Sequence, residues 1–300
     1  MANYSCSEYT SFYQYRHVLH ESFIASSVLL GLQIIPAVVF NLSILLVIWK
    51  TPSLHTPSYF FLFNLALSDL AVAIIGSPSV IFTFMIHVYG SDHLLVCVSV
   101  HSSCILSSLF SSVSFLTITA ATVDRYLALK LHLTYVTHVT TSRAVALCVL
   151  IWLCSAVPPL LSIMSLKIYC LVVFPALVFL LALMFFCYCK ILLVIRHHRN
   201  QIECQQNFQQ ENCTPSQNMT SFKKIAYNIL VVFTLNTLLY SPIVIGLIVS
   251  TVYETTFVNQ VRFFVLIFPF VFANSTVNPL LYCWRLNDIR IALKQRWRQL

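Results

Sequence analysis

Two short motifs combine charged, amide and proline residues at the ends of long apolar stretches. Asp-Arg-Tyr at 124–126 closes the third such stretch, and Asn-Pro-Leu-Leu-Tyr at 278–282 closes the seventh. An arginine at the end of a membrane helix can reach water or a protein partner. An Asn-Pro step inside a helix removes a backbone donor and creates a local hinge. The two motifs predict a contact point for a partner and a helix that can bend.

A second set of polar residues lies within the apolar stretches, where ionisable and amide side chains are costly and are therefore candidates for function. Asp69 is the only acid in the middle of a stretch, and it must find a counter-ion or take up a proton. Oxygen atoms of Ser114, Asn274 and Asn278 beside this carboxylate would suit a hard monovalent cation such as sodium. The alternative is a neutral Asp69 that joins helices by hydrogen bonds.

The elements that must position these residues are membrane helices. The chain has 300 residues, of which 59% are hydrophobic and 9% are charged, whereas a globular protein carries about 25% charged residues. Seven apolar windows are each long enough for a membrane helix: 22–49, 57–86, 93–126, 142–164, 168–196, 221–252 and 258–283. We therefore predict an all-α membrane protein, with a seven-transmembrane helix bundle over 22–283 that follows an extracellular segment over 1–21.

The distribution of basic residues predicts the orientation of the bundle. Of the 17 Lys and Arg residues, only Arg16, Lys167 and Arg262 fall on the side of the N-terminus. The positive-inside rule then places the N-terminus outside the cell and the opposite face in the cytosol, which predicts a multi-pass plasma-membrane protein. The same distribution argues against nucleic acid as a partner. Asn3 begins the sequence Asn-Tyr-Ser and is a candidate for glycosylation on the outer side.

Two polar segments lie on the cytosolic side. The stretch 197–220 is rich in Gln, Asn, Cys and Glu, which predicts a cytoplasmic loop between the fifth and sixth helices. From Trp284 to Trp297, apolar and basic residues alternate at helical spacing. This pattern predicts a short amphipathic eighth helix on the inner leaflet, within a cytoplasmic segment 284–300. The alternative for this segment is a frayed basic tail.

From about Asn41 to Ile291 the chain resembles the rhodopsin-like (class A) G-protein-coupled receptors. The resemblance implies a receptor without enzymatic activity that binds an extracellular ligand and activates heterotrimeric G proteins by opening of helix six. It also implies that sodium beside Asp69 stabilises the inactive state, as the only cofactor. The family's coupling and activation residues match the following positions: Asp124, Arg125, Tyr126, Tyr188, Asn278, Pro279 and Tyr282.

The chain departs from the family pattern in helix six. Two residues before the kink proline Pro242, where the family usually has Trp, this chain has Tyr240, which we expect to act as the switch together with the proline. Helix six opens with Phe222 rather than Glu. Arg125 then has no acid on helix six, and Asp124 remains as its only obvious acid partner.

The cysteines also depart from the pattern. The family usually has a disulfide cysteine where this chain has Val100, and Cys97 and Cys104 lie one turn on either side of it. Either of the two can pair with Cys170, and the sequence does not choose between them. This departure and a short second outer loop resemble the branch of melanocortin, cannabinoid, lysophospholipid and adenosine receptors.

Two positions bear on the ligand. Ser107 stands where amine receptors carry Asp, and Phe272 stands where opsins carry the retinal lysine, so the chain is expected to be neither. The residues expected to line the ligand site are apolar, aromatic or hydroxyl-bearing: Ser103, Cys104, Ser107, Ser108, Ser111, Ile243, Val244, Leu247, Phe264, Phe268 and Phe272. Such a lining suits a neutral or lipid-like ligand. The alternative is that the serine-rich face only allows close helix packing.

Two further expectations concern partners and other classes of protein. No Ser or Thr follows Thr276 in the sequence, so we expect weak arrestin recruitment that depends on the third cytoplasmic loop, on Thr214, Ser216, Thr220 and Ser221. The alternative function is a secondary transporter or a channel. Internal repeats and pore-lining rings are typical of those classes, and neither pattern is visible in the sequence.

Overall fold

The computed structural model describes residues 15–90, 92–131, 134–164, 166–208, 231, 234–246, 248–249 and 256–297, and the regular structure of these residues is helical. Eight main helices follow one another along the chain: α1 Arg16–Lys50, α2 Pro57–Tyr89, α3 His93–Leu131, α4 in two segments (Thr141–Ser155 and Val157–Met164), α5 Leu166–Phe208, α6 Thr234–Gly246, α7 Phe257–Arg285 and α8 Asn287–Trp297. Six of them, α1 to α5 and α7, are long and apolar enough to cross a membrane, and the described part of α6 is a shorter apolar helix. The predicted all-helical fold is confirmed.

The predicted loop over 197–220 is wrong for its first part, because α5 continues as a helix to Phe208. Its segment beyond Pro175 contains no further proline and no glycine, and Gln, Glu and Arg favour helix in water as well as at a membrane boundary. Residues 209–230 lie outside the described part of the chain. The chain thus gives α5 a polar extension beyond its apolar span.

Helix α2 is interrupted at its centre. A π-helical turn, Val72–Gly76, separates the α-helical segments Pro57–Ala71 and Ser77–Tyr89. Pro78 lies two residues after this turn, and it has no N–H to offer the carbonyl of Ile74, four residues earlier. Asp69 lies just before this turn. At the outer end, α2 stops at Gly90, whose positive φ of 73° is a conformation that favours glycine.

Helices α1 and α7 pack side by side, and polar side chains of α1 satisfy carbonyl groups of α7. Pro269 has no N–H to offer the carbonyl four residues earlier, that of Val265, and the hydroxyl of Ser26 donates to this oxygen at 2.8 Å. Pro279 likewise has no N–H for the carbonyl of Ser275, and the Asn41 amide donates to this oxygen at 2.8 Å. Each proline in α7 is therefore tolerated because a residue of α1 replaces the lost donor.

The short helix α8 docks against the inner ends of α1 and α2. Ile289 is completely buried and packs with Ile44, Ile48 and Leu62. The Tyr59 hydroxyl of α2 donates to the Asp288 carboxylate at 2.8 Å. These contacts support the amphipathic eighth helix over the frayed tail, because one face of α8 is buried and Arg290 and Lys294 remain exposed.

Candidate functional site

Asp69 lies at the centre of a hydrogen-bond network in the middle of the bundle. Its side chain is completely buried. Oδ1 accepts hydrogen bonds from the hydroxyls of Ser114 at 2.9 Å and Ser275 at 3.1 Å. Oδ2 accepts from the amide of Asn278 at 3.0 Å. Helices α2, α3 and α7 thus meet at one carboxylate, and two of the predicted partners, Ser114 and Asn278, contact it directly.

The third predicted partner, Asn274, makes a different contact. Its amide donates to the hydroxyl of Tyr240 at 3.2 Å, and Ser275 supplies the second hydroxyl to Asp69 instead. The sequence carried a signal for Ser275, because residues three apart share a helix face and Ser275 lies three before Asn278. A second residue that sequence reasoning missed is Ser68, whose hydroxyl lies 2.9 Å from that of Ser114.

The chemistry of this network is that of a carboxylate surrounded by neutral oxygen and amide groups. Among the described residues no basic side chain forms an ion pair with Asp69, so its negative charge, when present, has hydroxyl and amide dipoles as its only protein partners. Hydroxyl oxygens of Ser114 and Ser275 keep lone pairs that a hard cation accepts. In the part of the chain that the structure describes, no cluster of His, Cys, Asp and Glu could hold a transition metal. The donor set therefore fits sodium.

Asp124 and Arg125 occupy different environments at the inner end of α3. Asp124 is buried, and its two carboxylate oxygens accept hydrogen bonds from the Ser58 hydroxyl at 2.7 Å and the Tyr135 hydroxyl at 2.6 Å. Burial and the bond to Asp124 raise the pKa of Tyr135 to about 12. Asp124, the only obvious acid partner that the sequence offers Arg125, is thus held by two hydroxyl groups and forms no ion pair with Arg125 in the described structure.

Arg125 itself is exposed, and none of its contacts within the described residues is an ion pair. Tyr135 belongs to a one-turn helix, Tyr135–His138, that follows α3. Sequence reasoning missed both Ser58 and Tyr135. These residues belong to elements other than α3, and no local sequence pattern predicts that they contact Asp124. The arrangement leaves the guanidinium of Arg125 available at the end of the bundle.

Tyr188 and Tyr282, two tyrosines among the positions that match the family's coupling residues, share one apolar cluster. Tyr188 of α5 is buried together with Leu65, Ile118 and Met184, and Tyr282 of α7 packs against the same cluster. The Tyr188 hydroxyl lies 3.4 Å from that of Thr122 on α3. The burial of Tyr188 inside the bundle favours a role there over a role as an anchor in the membrane interface.

Tyr240, which stands where the family usually has Trp, is part of the same cluster. Its side chain is buried, and its ring packs edge-on against Phe115 of α3 with centroids 4.9 Å apart. Its hydroxyl is the acceptor for Asn274. The residue before the α6 kink therefore contacts both α3 and α7. Phe222, at the start of the predicted sixth span, lies outside the described residues.

The residues expected to line the ligand site lie in packed surroundings. Phe268 and Phe272 stack with centroids 6.0 Å apart, and Phe272 is buried in a cluster with Phe84 and Phe110. Phe264, Ile243 and Val244 are partly buried, as are Ser111 and Cys104, and Leu247 lies outside the described residues. The described positions of this set therefore belong to packed parts of the bundle, with Phe272 in its core.

Two of the serine side chains on α3 support the packing alternative. Ser103 and Ser107 are buried and donate to carbonyls of their own helix, those of Val100 and Ser103. The hydroxyl of Ser108 is buried and has no hydrogen-bond partner. Ser108 is therefore a buried hydroxyl of this face that a ligand group could still engage.

The cysteine alternatives are partly resolved. Cys97 is disulfide-bonded, whereas Cys104 is a free thiol that packs near Ile86 and Val100. The pairing through Cys104 is therefore wrong. The side chain of Cys170, the predicted partner, lies outside the described residues.

Trp152 of α4 makes a specific contact that the sequence alone did not indicate. Its indole N–H donates to the Asn64 side-chain oxygen at 2.9 Å, and the Asn64 amide donates to the Thr117 hydroxyl at 2.8 Å. The Trp152 ring also packs edge-on against Phe110. The chain Trp152–Asn64–Thr117 joins α4, α2 and α3, so Trp152 contributes a hydrogen bond as well as packing.

Comparisons of the sequence with known proteins identify the family of the chain. The family described as 7 transmembrane receptor (rhodopsin family) matches residues 40–282. Melanocortin receptor 3 of Rattus norvegicus is 27% identical over 287 residues, which cover 91% of this chain and 85% of the relative. G-protein coupled receptor 12 of Rattus norvegicus is 26% identical over 269 residues, 84% of this chain and 75% of the relative. Adenosine receptor A3 of Bos taurus is 34% identical over 135 residues, 45% of this chain and 39% of the relative.

Proposed function

We propose that Arg125 is the residue through which this protein contacts a G protein. The chain belongs to the rhodopsin family of seven-transmembrane receptors, so it is a G-protein-coupled receptor and not a transporter. The proposal rests on the observation that Asp124 is bonded to other residues and leaves the side chain of Arg125 exposed. The carboxylate is held by Ser58 and Tyr135, so the exposed guanidinium keeps its five donors for carbonyl and carboxylate acceptors on the partner.

Activation in this proposal opens α6 at Pro242. Tyr240, two residues before Pro242 and on its cytosolic side, is held by the ring of Phe115 and by the amide of Asn274. Release of these two contacts would let the inner part of α6 move away from α3 and uncover Arg125. Tyr188 and Tyr282, which already share a cluster, would then meet beside the arginine and hold the open arrangement.

Sodium beside Asp69 is the proposed negative modulator. Complete burial makes an isolated carboxylate costly, and a cation among Ser114, Ser275 and Asn278 would offset that cost. Because this position joins α2, α3 and α7, a bound cation would stabilise the closed arrangement of the three helices. The alternative, a protonated Asp69 that donates one hydrogen bond, remains testable by its indifference to sodium.

The proposed ligand is neutral or lipid-like and approaches from outside the cell. Two features support this class: Ser107 offers no counter-ion for an amine, and the outer half of the bundle is aromatic, with Phe84, Phe268 and Phe272 in contact. We place the receptor in the plasma membrane with its N-terminus outside, because the basic residues lie mainly on the opposite side. Arrestin recruitment is proposed to be weak and to depend on Thr214, Ser216, Thr220 and Ser221, which lie outside the described residues.

The test of the coupling proposal is the variant Arg125→Ala. Reconstituted receptor should lose at least tenfold of its nucleotide exchange on purified G protein, with surface expression within about twofold of wild type. The exchange is measured without added ligand at high receptor density and with active members of a library of neutral and lipid-like compounds. The matched control is Arg143→Ala, at the same end of the bundle, whose guanidinium donates to the His138 carbonyl. Full exchange by well-expressed Arg125→Ala would exclude this mechanism.

A further inference from the structure

Two lysines and two aromatic rings form a continuous array at the inner ends of α3 and α5. On α3, the Lys130 ammonium lies 5.7 Å from the centre of the Tyr126 ring. On α5, the Lys190 ammonium lies 5.5 Å from the centre of the Phe186 ring. The two rings face each other edge-on with centroids 6.5 Å apart. We call these four residues the α3–α5 basic-aromatic surface.

The spacing of the four residues shows on which side of the rings the lysines are attached. Each lysine follows its ring by four residues, so its backbone lies one helical turn beyond the ring. Both helices run from the outer to the inner side in the proposed orientation, so each lysine is attached on the cytosolic side of its ring. Phe186 is 50% exposed, and an exposed phenyl ring on a membrane helix contacts lipid.

Within the residues that the structure describes, neither Lys130 nor Lys190 makes an ion pair. The two described carboxylates at this end of the bundle are already engaged, Asp124 by Ser58 and Tyr135 and Asp288 by Tyr59. Lys130 and Lys190 are both exposed and belong to one patch, because the rings beneath them are in contact. An anion bound at this patch would balance their charges.

We propose that the α3–α5 basic-aromatic surface binds the headgroup phosphate of an anionic phospholipid in the inner leaflet. The two ammonium groups would share the phosphate oxygens, and the acyl chains would lie against the exposed ring of Phe186. Anionic lipids concentrate in the cytoplasmic leaflet, where basic side chains attract them. This inference rests on the proposed function only in that the Arg125 end of the bundle faces the cytosol.

Snorkelling alone would explain one lysine that extends along a ring toward water. It does not explain why the rings beneath the two lysines are in contact, which brings both lysines into one patch on neighbouring helices. Like charges within one patch repel each other, and a bound counter-anion offsets that repulsion. The pairing of the lysines, rather than their presence at the membrane surface, is the feature that indicates a lipid site.

The experiment measures lipid binding by the purified full-length receptor. Native mass spectrometry counts phosphatidylserine molecules that remain bound from mixed micelles with phosphatidylcholine. Each lysine at an anionic surface contributes roughly fivefold in affinity, so Lys130→Gln and Lys190→Gln should each lower the apparent phosphatidylserine affinity about fivefold, and the double variant roughly 25-fold. The charge-preserving pair Lys130→Arg and Lys190→Arg should stay within about twofold of wild type, because it retains both positive charges.

Two controls define the result. Lys50→Gln removes an exposed lysine from the last turn of α1, away from the array, and should leave the affinity within about twofold of wild type. Binding of glycerophosphoserine, which has the headgroup without acyl chains, should be at least tenfold weaker than binding of phosphatidylserine. Equal binding by the double variant and wild type, an equal loss in Lys50→Gln, or equal binding of glycerophosphoserine would each overturn the proposal. No G protein is present, so a failure here is distinct from a failure of coupling through Arg125.

Discussion

The amide of Asn274 donates a hydrogen bond to the hydroxyl of Tyr240, and this bond joins the helix that must open to the network around Asp69. Asn274 precedes Ser275, which donates to Asp69. A change at the buried carboxylate therefore has a direct route through two adjacent residues of α7 to the residue before the α6 kink. The family's usual Trp has a larger ring at this position, and here a phenol hydroxyl makes the link.

Tyr240→Phe should raise the exchange seen without ligand by about fivefold. The variant keeps the ring that packs against Phe115 and removes the hydroxyl that holds Asn274. A hydrogen bond of this kind contributes about 1 kcal/mol, which corresponds to about a fivefold shift toward the open arrangement. The measurement is basal nucleotide exchange per receptor. Ser241→Ala is the control, because Ser241 bonds only within its own helix, and equal basal exchange in both variants would show that the link does not restrain α6.

Asp69→Asn should abolish stabilisation of the receptor by sodium. Wild-type receptor, purified in detergent, should melt at a higher temperature in sodium chloride than in the chloride of a large organic cation, because a ligand that binds the folded state stabilises it. The Asn variant should melt at the same temperature in both salts. Ser68→Ala is the control, since Ser68 contacts Ser114 and not the carboxylate. A wild-type receptor that is indifferent to sodium would favour the neutral, structural Asp69.

Ser26→Ala should destabilise the receptor by about 1 kcal/mol, the size of a hydrogen bond between membrane helices. The variant leaves the Val265 carbonyl without the donor that Pro269 cannot supply. Pro269→Ala restores that N–H, so Ser26→Ala should cost less when made in the Pro269→Ala background. Thermal or chemical unfolding of the four proteins gives the coupling free energy. Ser43→Ala is the neutral control, because the Ser43 hydroxyl is exposed and bonds its own helix; a coupling near zero would contradict this account.

Tyr135→Phe should lower nucleotide exchange several-fold. The variant removes one of the two hydroxyls that hold Asp124, and the freed carboxylate oxygen can then pair with Arg125 and occupy its donors. Thr137→Ala, which alters an exposed hydroxyl in the same short helix, is the control. Unchanged exchange in Tyr135→Phe would mean that Ser58 alone keeps Asp124 away from the arginine.

The same tyrosine makes a prediction about pH. Its pKa is raised from about 10 to about 12 in the folded receptor, so the neutral hydroxyl is the favoured form in the fold. Its contribution to stability is complete below about pH 10 and is lost as the pH rises from 10 through 12, because there the unfolded chain ionises first. Wild-type and Tyr135→Phe receptors should therefore show a constant difference in stability between pH 6 and pH 9.

The sequence was sufficient for the helices and for part of the polar network. Length and apolarity determine the spans, and the rarity of an acid in lipid singles out Asp69, because both are properties of single segments. Ser114 and Asn278 were found as its partners. The role of Asn274 was not, since a helix rotation of one residue decides whether Asn274 or Ser275 faces the carboxylate.

Contacts between distant elements were the part that the sequence could not supply. Ser58, Asp124 and Tyr135 come from α2, α3 and the short helix after α3, and no spacing relates them. The extension of α5 to Phe208 was missed for another reason: polar composition predicts contact with water, and a helix in water can have that composition as easily as a loop.

The hydrogen bonds between α1 and α7 also bear on how the receptor is made. Helix α1 enters the membrane first, and Ser26 and Asn41 have their acceptors on the last membrane helix to be synthesised. Until α7 is inserted, the Ser26 hydroxyl lacks its acceptor on α7, and the Asn41 amide has only the Ala37 carbonyl of its own helix. The carbonyls of Val265 and Ser275 equally gain their substitute donors only when α7 packs against α1, so the two prolines of α7 are accommodated only once the first and seventh helices have met.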